Sequence, residues 1–148
     1  MKKKYKEFLI EKIMHKVVYN TCYGGFNLSE AAVEWLRNNA RDEVKEFICA
    51  RLNKYEAEEE AEEETQEKDS LFSFMSPIEF VGADLKYFLP RHDKDLVACV
   101  EALGNKASGF CSSLAICEIE GNMYYIEDYD GQETIITPDS DCFIKIEE

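Results

Sequence analysis

Two adjacent glycines follow a cysteine near the start of the sequence, between an apolar run and an amphipathic segment. Gly24 and Gly25 can adopt positive φ angles, which leaves backbone N–H groups free to face a ligand. Because a helix is predicted to begin near Leu28, these groups would lie at the positive end of its dipole, where phosphate and carboxylate bind. The loop therefore predicts an anion site. Its candidate ligand-binding residues are Thr21, Cys22, Tyr23, Gly24, Gly25 and Asn27.

Cys22 is also the candidate nucleophile of this loop. A helix dipole favours the thiolate form of a cysteine at its N-terminal end, and a nucleophile of this kind needs a base and a residue that orients the base. In this hypothesis His92 is the base, and Asp93 or Asp130 orients its ring. The alternative interpretation is a tight turn in which Cys22 is a small buried hydrophobe. A Gly-Gly pair lacks the spacing of a nucleotide-binding fingerprint, so no cofactor is predicted.

A second polar group stands at the start of a later helix. Asp93 is predicted to cap a helix over residues 94–103 that ends at Gly104. Arg91 and His92 directly precede the cap, where an anion is favoured and an imidazole can transfer protons. The alternative is a loop that holds both side chains in solvent. If this stretch meets the glycine loop, the two form a pocket for an anionic small molecule, such as a nucleotide or a nucleotide-like signal.

Amphipathic helices must position the glycine loop. Asn27 and Glu30 match a capping box, in which each side chain bonds the other residue's backbone N–H. Residues 28–36 then have the apolar spacing of a core-facing helix, and a second helix is predicted over residues 44–55.

The next segment, residues 71–89, is rich in aromatic residues. Pro77 and Gly82 argue against one continuous element there. We therefore expect a short strand or turn near residues 78–81 and another segment near residues 85–89.

The C-terminal third alternates β-branched and aromatic residues with turn residues, which predicts an antiparallel meander. Its expected strands lie at residues 114–119, 123–128, 133–136 and 142–146. We expect an α+β fold in which an antiparallel sheet, built from this meander and an N-terminal strand, packs against about three amphipathic helices. Asp128, Asp130 and Glu133 fail the spacing of a calcium loop, so we interpret them as turn formers and predict no metal.

Length and charge exclude several classes of protein. A chain of 148 residues with 45% hydrophobic residues is expected to form one domain over residues 1–148. A net charge of −14 argues against binding to duplex nucleic acid and to anionic membranes. No apolar run reaches the length of a membrane span. Within the chain we expect a basic N-terminal extension over residues 1–16 and an acidic insert over residues 56–70, as a solvated helix or a disordered loop that a basic protein partner can bind.

The six cysteines are spread along the chain without a Cys-x-x-Cys pair, and there are only two histidines. This spacing predicts neither a zinc site nor a disulfide framework. It is typical of a reduced, cytoplasmic protein with free thiols.

Three ordered motifs carry a family resemblance. They are NTCYGGFNLS at residues 20–29, PRHD-x-DLV at residues 90–97 continued by E-x-LG at residues 101–104, and YDG-x-E at residues 129–133. On these motifs the chain resembles a family of small proteins of bacteriophages and large DNA viruses. The resemblance implies a viral context, in the host cytoplasm or in the virion, and it implies no reaction. The basic extension, the acidic insert and the C-terminal end depart from the family's pattern.

Three classes of function stay open on these observations. The favoured hypothesis is a viral-type accessory protein that binds an anionic small molecule at the Gly24-Gly25 loop. The first alternative is a virion or protein-interaction component. The second alternative is an enzyme that uses Cys22 as nucleophile and His92 as base.

Overall fold

The structure, a computed structural model, describes residues 14–65, 75–138 and 146. Its elements in chain order are β1 (Met14–Asn20), α1 (Glu30–Asn39), α2 (Asp42–Thr65), α3 (Pro77–Phe88), α4 (Lys94–Leu103), a 3₁₀ helix (Gly104–Ala107), β2 (Leu114–Glu120), β3 (Tyr125–Tyr129) and β4 (Gln132–Ile136). The α+β prediction is confirmed, with antiparallel strands and four α-helices in the described part of the chain.

The strands form two small antiparallel sheets. β1 pairs with β2, with Val17 opposite Cys117, so the N-terminal strand joins the C-terminal third as expected. β3 pairs with β4 through a two-residue turn, Asp130 and Gly131, whose φ angles of 51° and 90° suit the twist of a hairpin. The hairpin expected between residues 114–119 and 123–128 is not formed, because β2 pairs with β1 instead.

Two expected segments lie only partly within the described residues. The strand begins at Met14, so residues 14–16 of the expected basic extension belong to β1, while residues 1–13 lie outside the described residues. Most of the expected acidic insert, residues 56–65, continues α2 as a helix, and residues 66–70 lie outside the described part.

The first helix starts later than the capping box predicts. α1 begins at Glu30 and is capped by Ser29, whose Oγ accepts a hydrogen bond from the Ala32 N–H at 3.1 Å. The prediction near Leu28 was wrong because Leu28 is held extended in a β-bridge with Ser108. Asn27 is therefore part of the loop and not the cap.

The segment expected to be broken is one helix, α3. Pro77 stands in its first turn, where the missing N–H costs nothing, and Ser76 caps it. Gly82 lies in the buried middle of α3. A Cβ atom there would lie 2.3 Å from the backbone oxygen of Leu28, so this position requires glycine. The two residues that seemed to break the element therefore start the helix and let it approach the loop before α1.

One hydrophobic core joins the helices to β1. α1 packs against α2, α3 and α4, and Val18 of β1 is fully buried in the same core. Its neighbour Val17 is also fully buried but lies outside this cluster, because successive strand residues face opposite sides. The predicted helix over residues 94–103 is confirmed, including the Asp93 cap and the positive φ of 58° at Gly104. Across residues 14–65 and 75–138, no helix combines the length and the apolar character that a bilayer span requires.

Replacing Gly82 by alanine should destabilise the fold, although alanine favours a helix. The added methyl group would press on the Leu28 carbonyl, and we expect a loss of about 2 kcal/mol in the free energy of unfolding. Urea unfolding measures this, with Ala83→Gly on the same helix as the control that propensity alone predicts to cost about 1 kcal/mol. A Gly82→Ala variant more stable than wild type would contradict the close packing.

Candidate functional site

Three turns meet at one point of the surface, and we call this place the three-turn junction: residues 22–25, 109–112 and 130–131. The Gly24 N–H donates to the Asp130 carbonyl at 3.3 Å, and the Cys22 thiol donates to the Cys111 carbonyl at 3.1 Å. A Cβ atom added to Gly131 would lie 2.2 Å from the Gly25 nitrogen. The junction is therefore packed backbone against backbone.

Asn20, at the end of β1, links two of the junction turns through hydrogen bonds from its side chain. Its side chain is fully buried. The side-chain Nδ2 donates to the carbonyls of Cys22 at 2.6 Å and Gly131 at 2.7 Å, while Oδ1 accepts from the Ser113 N–H at 2.8 Å. The Asn20 side-chain amide is thus hydrogen-bonded to three segments of the chain. Its own buried N and O atoms and the three backbone groups that they contact all have partners.

Glu133 of β4 and Arg91 form a buried ion pair beside Asn20. Both terminal nitrogens of Arg91 donate to the carboxylate, at 2.6 and 2.9 Å, and the Asn20 backbone N–H adds a third bond at 2.8 Å. The two side chains are 14% and 4% exposed. The guanidinium also lies 3.7 Å from the centre of the Phe26 ring, which covers one of its faces.

These contacts bring together the two stretches from which the sequence predicts an anion site. Arg91 does meet the loop that follows β1, and a carboxylate does lie between them. That carboxylate is Glu133, which the sequence led us to interpret as a turn former. Both terminal nitrogens of the guanidinium donate to this internal carboxylate, and the Gly24 N–H donates to the Asp130 carbonyl.

Thr21 and Asn27, two further candidate residues of the loop, form hydrogen bonds with backbone groups of neighbouring segments. The Thr21 N–H and hydroxyl both donate to the Ser113 carbonyl, at 2.8 and 2.9 Å. The Asn27 carbonyl accepts from the Gly109 N–H at 2.9 Å. Tyr23 is different, because its side chain points outward and is 58% exposed.

Asp93 caps α4 and is also half of a second ion pair. Its Oδ1 accepts from the N–H groups of Asp95 and Leu96, and its Oδ2 lies 2.7 Å from Arg41. Burial raises the pKa of Asp93, but the hydrogen bond from Arg41 and the two backbone bonds outweigh it, so that the pKa lies below its ordinary value. Arg41 also binds Asp95 at 2.7 Å, which fixes the start of α2 to the start of α4.

The residues of the cysteine-nucleophile hypothesis have different partners. His92 is exposed and its Nδ1 lies 2.7 Å from the Tyr124 hydroxyl, while the Cys22 thiol faces the Cys111 carbonyl and Asp93 faces Arg41. Within the described residues, no hydrogen bond links Cys22, His92 and Asp93. Burial raises the pKa of Tyr124, and the nearby charge of Arg91 opposes this only in part.

Each turn of the junction carries or adjoins an exposed aromatic side chain. Tyr23 belongs to the first turn, Phe110 to the second, and Tyr129 directly precedes the third. Phe110 is 87% exposed and Tyr129 is 75% exposed. We call these three side chains the aromatic surface.

A cleft adjoins the aromatic surface at Phe110. Its volume is about 850 Å³, within the range of small-molecule pockets. Leu28 and Met75 supply apolar lining, and Glu30 and Glu79 place two carboxylates in the first turns of α1 and α3. We call it the acidic cleft.

Comparisons with protein-family models, with curated proteins and with solved structures find no match to this chain. The site is therefore argued from geometry alone. Sequence patterns missed Asn20, Glu133 and Phe110. No sequence pattern singles out Phe110, and nothing in the sequence separates the buried Glu133 from the solvated acids around it.

The ion pair between Asp93 and Arg41 should make the free energy of unfolding depend on pH in the acidic range. Because the pKa of folded Asp93 is below that of the unfolded chain, the unfolded state binds the proton first, and stability from this group declines as pH falls from near 4 through the folded pKa. Asp93→Asn keeps the helix cap but not the charge, and we expect it to cost about 2 kcal/mol at pH 7. Urea unfolding from pH 7 to pH 3 should show that this difference shrinks in acid. A difference that is constant with pH would contradict the charge pairing.

Proposed function

We propose that the protein is a non-enzymatic protein-interaction module that binds a basic partner through the aromatic surface and the acidic cleft. The observation that carries the proposal is the placement of three exposed aromatic side chains around a junction packed by backbone contacts. The partner would be a segment that presents arginine or lysine together with apolar side chains.

Exposed aromatic residues on a rigid base are typical of binding hot spots. Tyrosine and phenylalanine bury large areas with few rotatable bonds, so they gain contact energy at low entropic cost. The backbone of the junction is held by Asn20 and by the Glu133–Arg91 pair, so that little further ordering is needed on binding. Burying the Phe110 ring alone would contribute about 2 kcal/mol.

The charges around the aromatic surface favour a basic partner. Glu30 and Glu79 line the acidic cleft, and exposed Asp128 and Asp130 flank Tyr129. The Arg91 side chain on the inner side of the junction is paired with Glu133 and offers little free positive charge to a ligand. A guanidinium or ammonium group can lie against the aromatic rings and enter the cleft, where carboxylates complement its charge.

The hypothesis of an anionic small molecule has weaker support from this geometry. Arg91 is engaged by Glu133, and the Gly24 amide is engaged by Asp130. The viral context implied by the resemblance stays a prediction, and a partner-binding accessory or virion protein agrees with it. Binding of a basic partner along the acidic end of α2 also stays a prediction.

Selection from a displayed library of random short peptides tests the proposal. We expect enrichment of sequences that combine arginine or lysine with apolar residues. Binding of a selected peptide, measured by calorimetry, should weaken about 30-fold in Phe110→Ala, as is usual for a hot spot. Tyr87→Ala is the matched control, because Tyr87 is 83% exposed on α3 outside the aromatic surface, and it should change affinity less than twofold.

Two results would contradict the proposal. One is a library without basic enrichment, and the other is equal loss of affinity in Phe110→Ala and Tyr87→Ala. A panel of nucleotides, cyclic dinucleotides and ADP-ribose derivatives serves as the comparison. Heat from one of these at micromolar protein, with none from the peptides, would favour the small-molecule hypothesis instead.

A further inference from the structure

Two cysteines that are 89 positions apart in the sequence lie together at the three-turn junction. The Cys22 sulfur is 3.1 Å from the carbonyl oxygen of Cys111, which is two bonds from the Cα atom that carries the Cys111 side chain. A Cβ atom added to Gly24 would lie 2.7 Å from the Cys111 Cβ. The base of the Cys111 side chain therefore packs against the turn that contains Cys22.

Cys111 has a backbone conformation that cysteine rarely adopts. Its φ angle is 60°, in the left-handed region where glycine, asparagine and aspartate are common. The other non-glycine residue with positive φ in the described part is Asp130, which suits that region. A strained cysteine that contacts a second cysteine points to a role for its sulfur.

The exposure of the thiols separates this pair from the rest of the described cysteines. Cys111 is exposed and Cys22 is half-buried, so a small oxidant can reach the junction. Cys99 is fully buried in the core, and burial raises the pKa of its thiol to about 12. Cys49 and Cys117 lie on α2 and on β2 and are not part of the three junction turns.

We propose that Cys22 and Cys111 form a reversible disulfide when the protein meets a peroxide. The exposed Cys111 thiolate attacks one oxygen of hydrogen peroxide, the O–O bond breaks, and a sulfenic acid and water form. The Cys22 thiolate then attacks the Cys111 sulfur, so that the S–S bond forms and the hydroxyl leaves as a second water. In total, two thiols lose two hydrogens to one peroxide, and a dithiol reductant reverses the reaction by exchange.

The cross-link would act on the aromatic surface. Tyr23 directly follows Cys22 and Phe110 directly precedes Cys111, so a bond between the sulfurs fixes the spacing of two of the three aromatic side chains. This consequence rests on the proposed function, while the formation of the disulfide does not. Oxidation would thus set the affinity of the module for its basic partner.

Treatment of the full-length protein with stoichiometric hydrogen peroxide, followed by alkylation and peptide mass spectrometry, tests the cross-link. We expect a Cys22–Cys111 disulfide that dithiothreitol removes. The oxidised protein should melt at a temperature higher by about 5 to 15 °C, because the bond closes a long loop of chain. Cys22→Ser and Cys111→Ser should each lose this shift, and Cys117→Ser should retain it.

Oxidation of Cys22 and Cys111 separately to sulfinic acids, or a disulfide between another pair of cysteines, would overturn the proposal. The cross-link is measured without any partner, so its failure leaves the peptide-binding result unaffected. If the disulfide forms but the oxidised and reduced proteins bind the selected peptide equally, the cross-link stands and its control of the aromatic surface is refuted.

Discussion

A buried carboxylate is the constraint on which the site depends. Glu133 is nearly without solvent contact, and an ionised side chain in that position is costly unless every oxygen is satisfied. Arg91 satisfies both oxygens and the Asn20 N–H adds a third bond. Because these groups come from β4, from the turn before α4 and from β1, the ends of these elements must meet for the fold to accommodate the charge. A replacement of either partner would leave the other buried and unpaired.

The same arrangement explains why the turns are rich in glycine. Once Asn20 and Glu133 bring the turns together, Gly24, Gly25 and Gly131 lie so close that side chains at Gly24 and Gly131 would collide with the neighbouring backbone. The Gly24 amide is already bonded to the Asp130 carbonyl of the opposite turn, so a ligand at that amide would have to replace this bond. In the function proposed above, binding therefore uses the aromatic side chains that flank the junction and the cleft beside Phe110. This is why the proposed partner is a protein segment and not a small anion.

Local sequence patterns predicted much of the fold. They failed where contacts between residues far apart in the sequence determine the structure. The helices predicted over residues 44–55 and 94–103, the strand at Leu114 and the Asp130-Gly131 turn follow from periodicity, capping and turn chemistry. Gly82 was misjudged because a close backbone approach by Leu28, invisible in the sequence, makes a mid-helix glycine necessary. Pro77 was misjudged because it starts the helix and does not break it. At the site, the sequence led us to expect an anionic ligand near Arg91, but the anion beside Arg91 is the side chain of Glu133. Glu133 lies in a strand of ordinary pattern, and only its position opposite Arg91 distinguishes it from a solvated acid.

The free energy of unfolding of Glu133→Gln tests this account most directly. Glutamine keeps the shape of the side chain and removes its charge, so Arg91 would be left buried without a counter-ion. We expect a loss of about 3 kcal/mol or more, against less than about 1 kcal/mol for Glu101→Gln, which breaks the exposed pair with Lys16. Equal effects of the two substitutions would contradict the claim that the buried carboxylate holds the junction together.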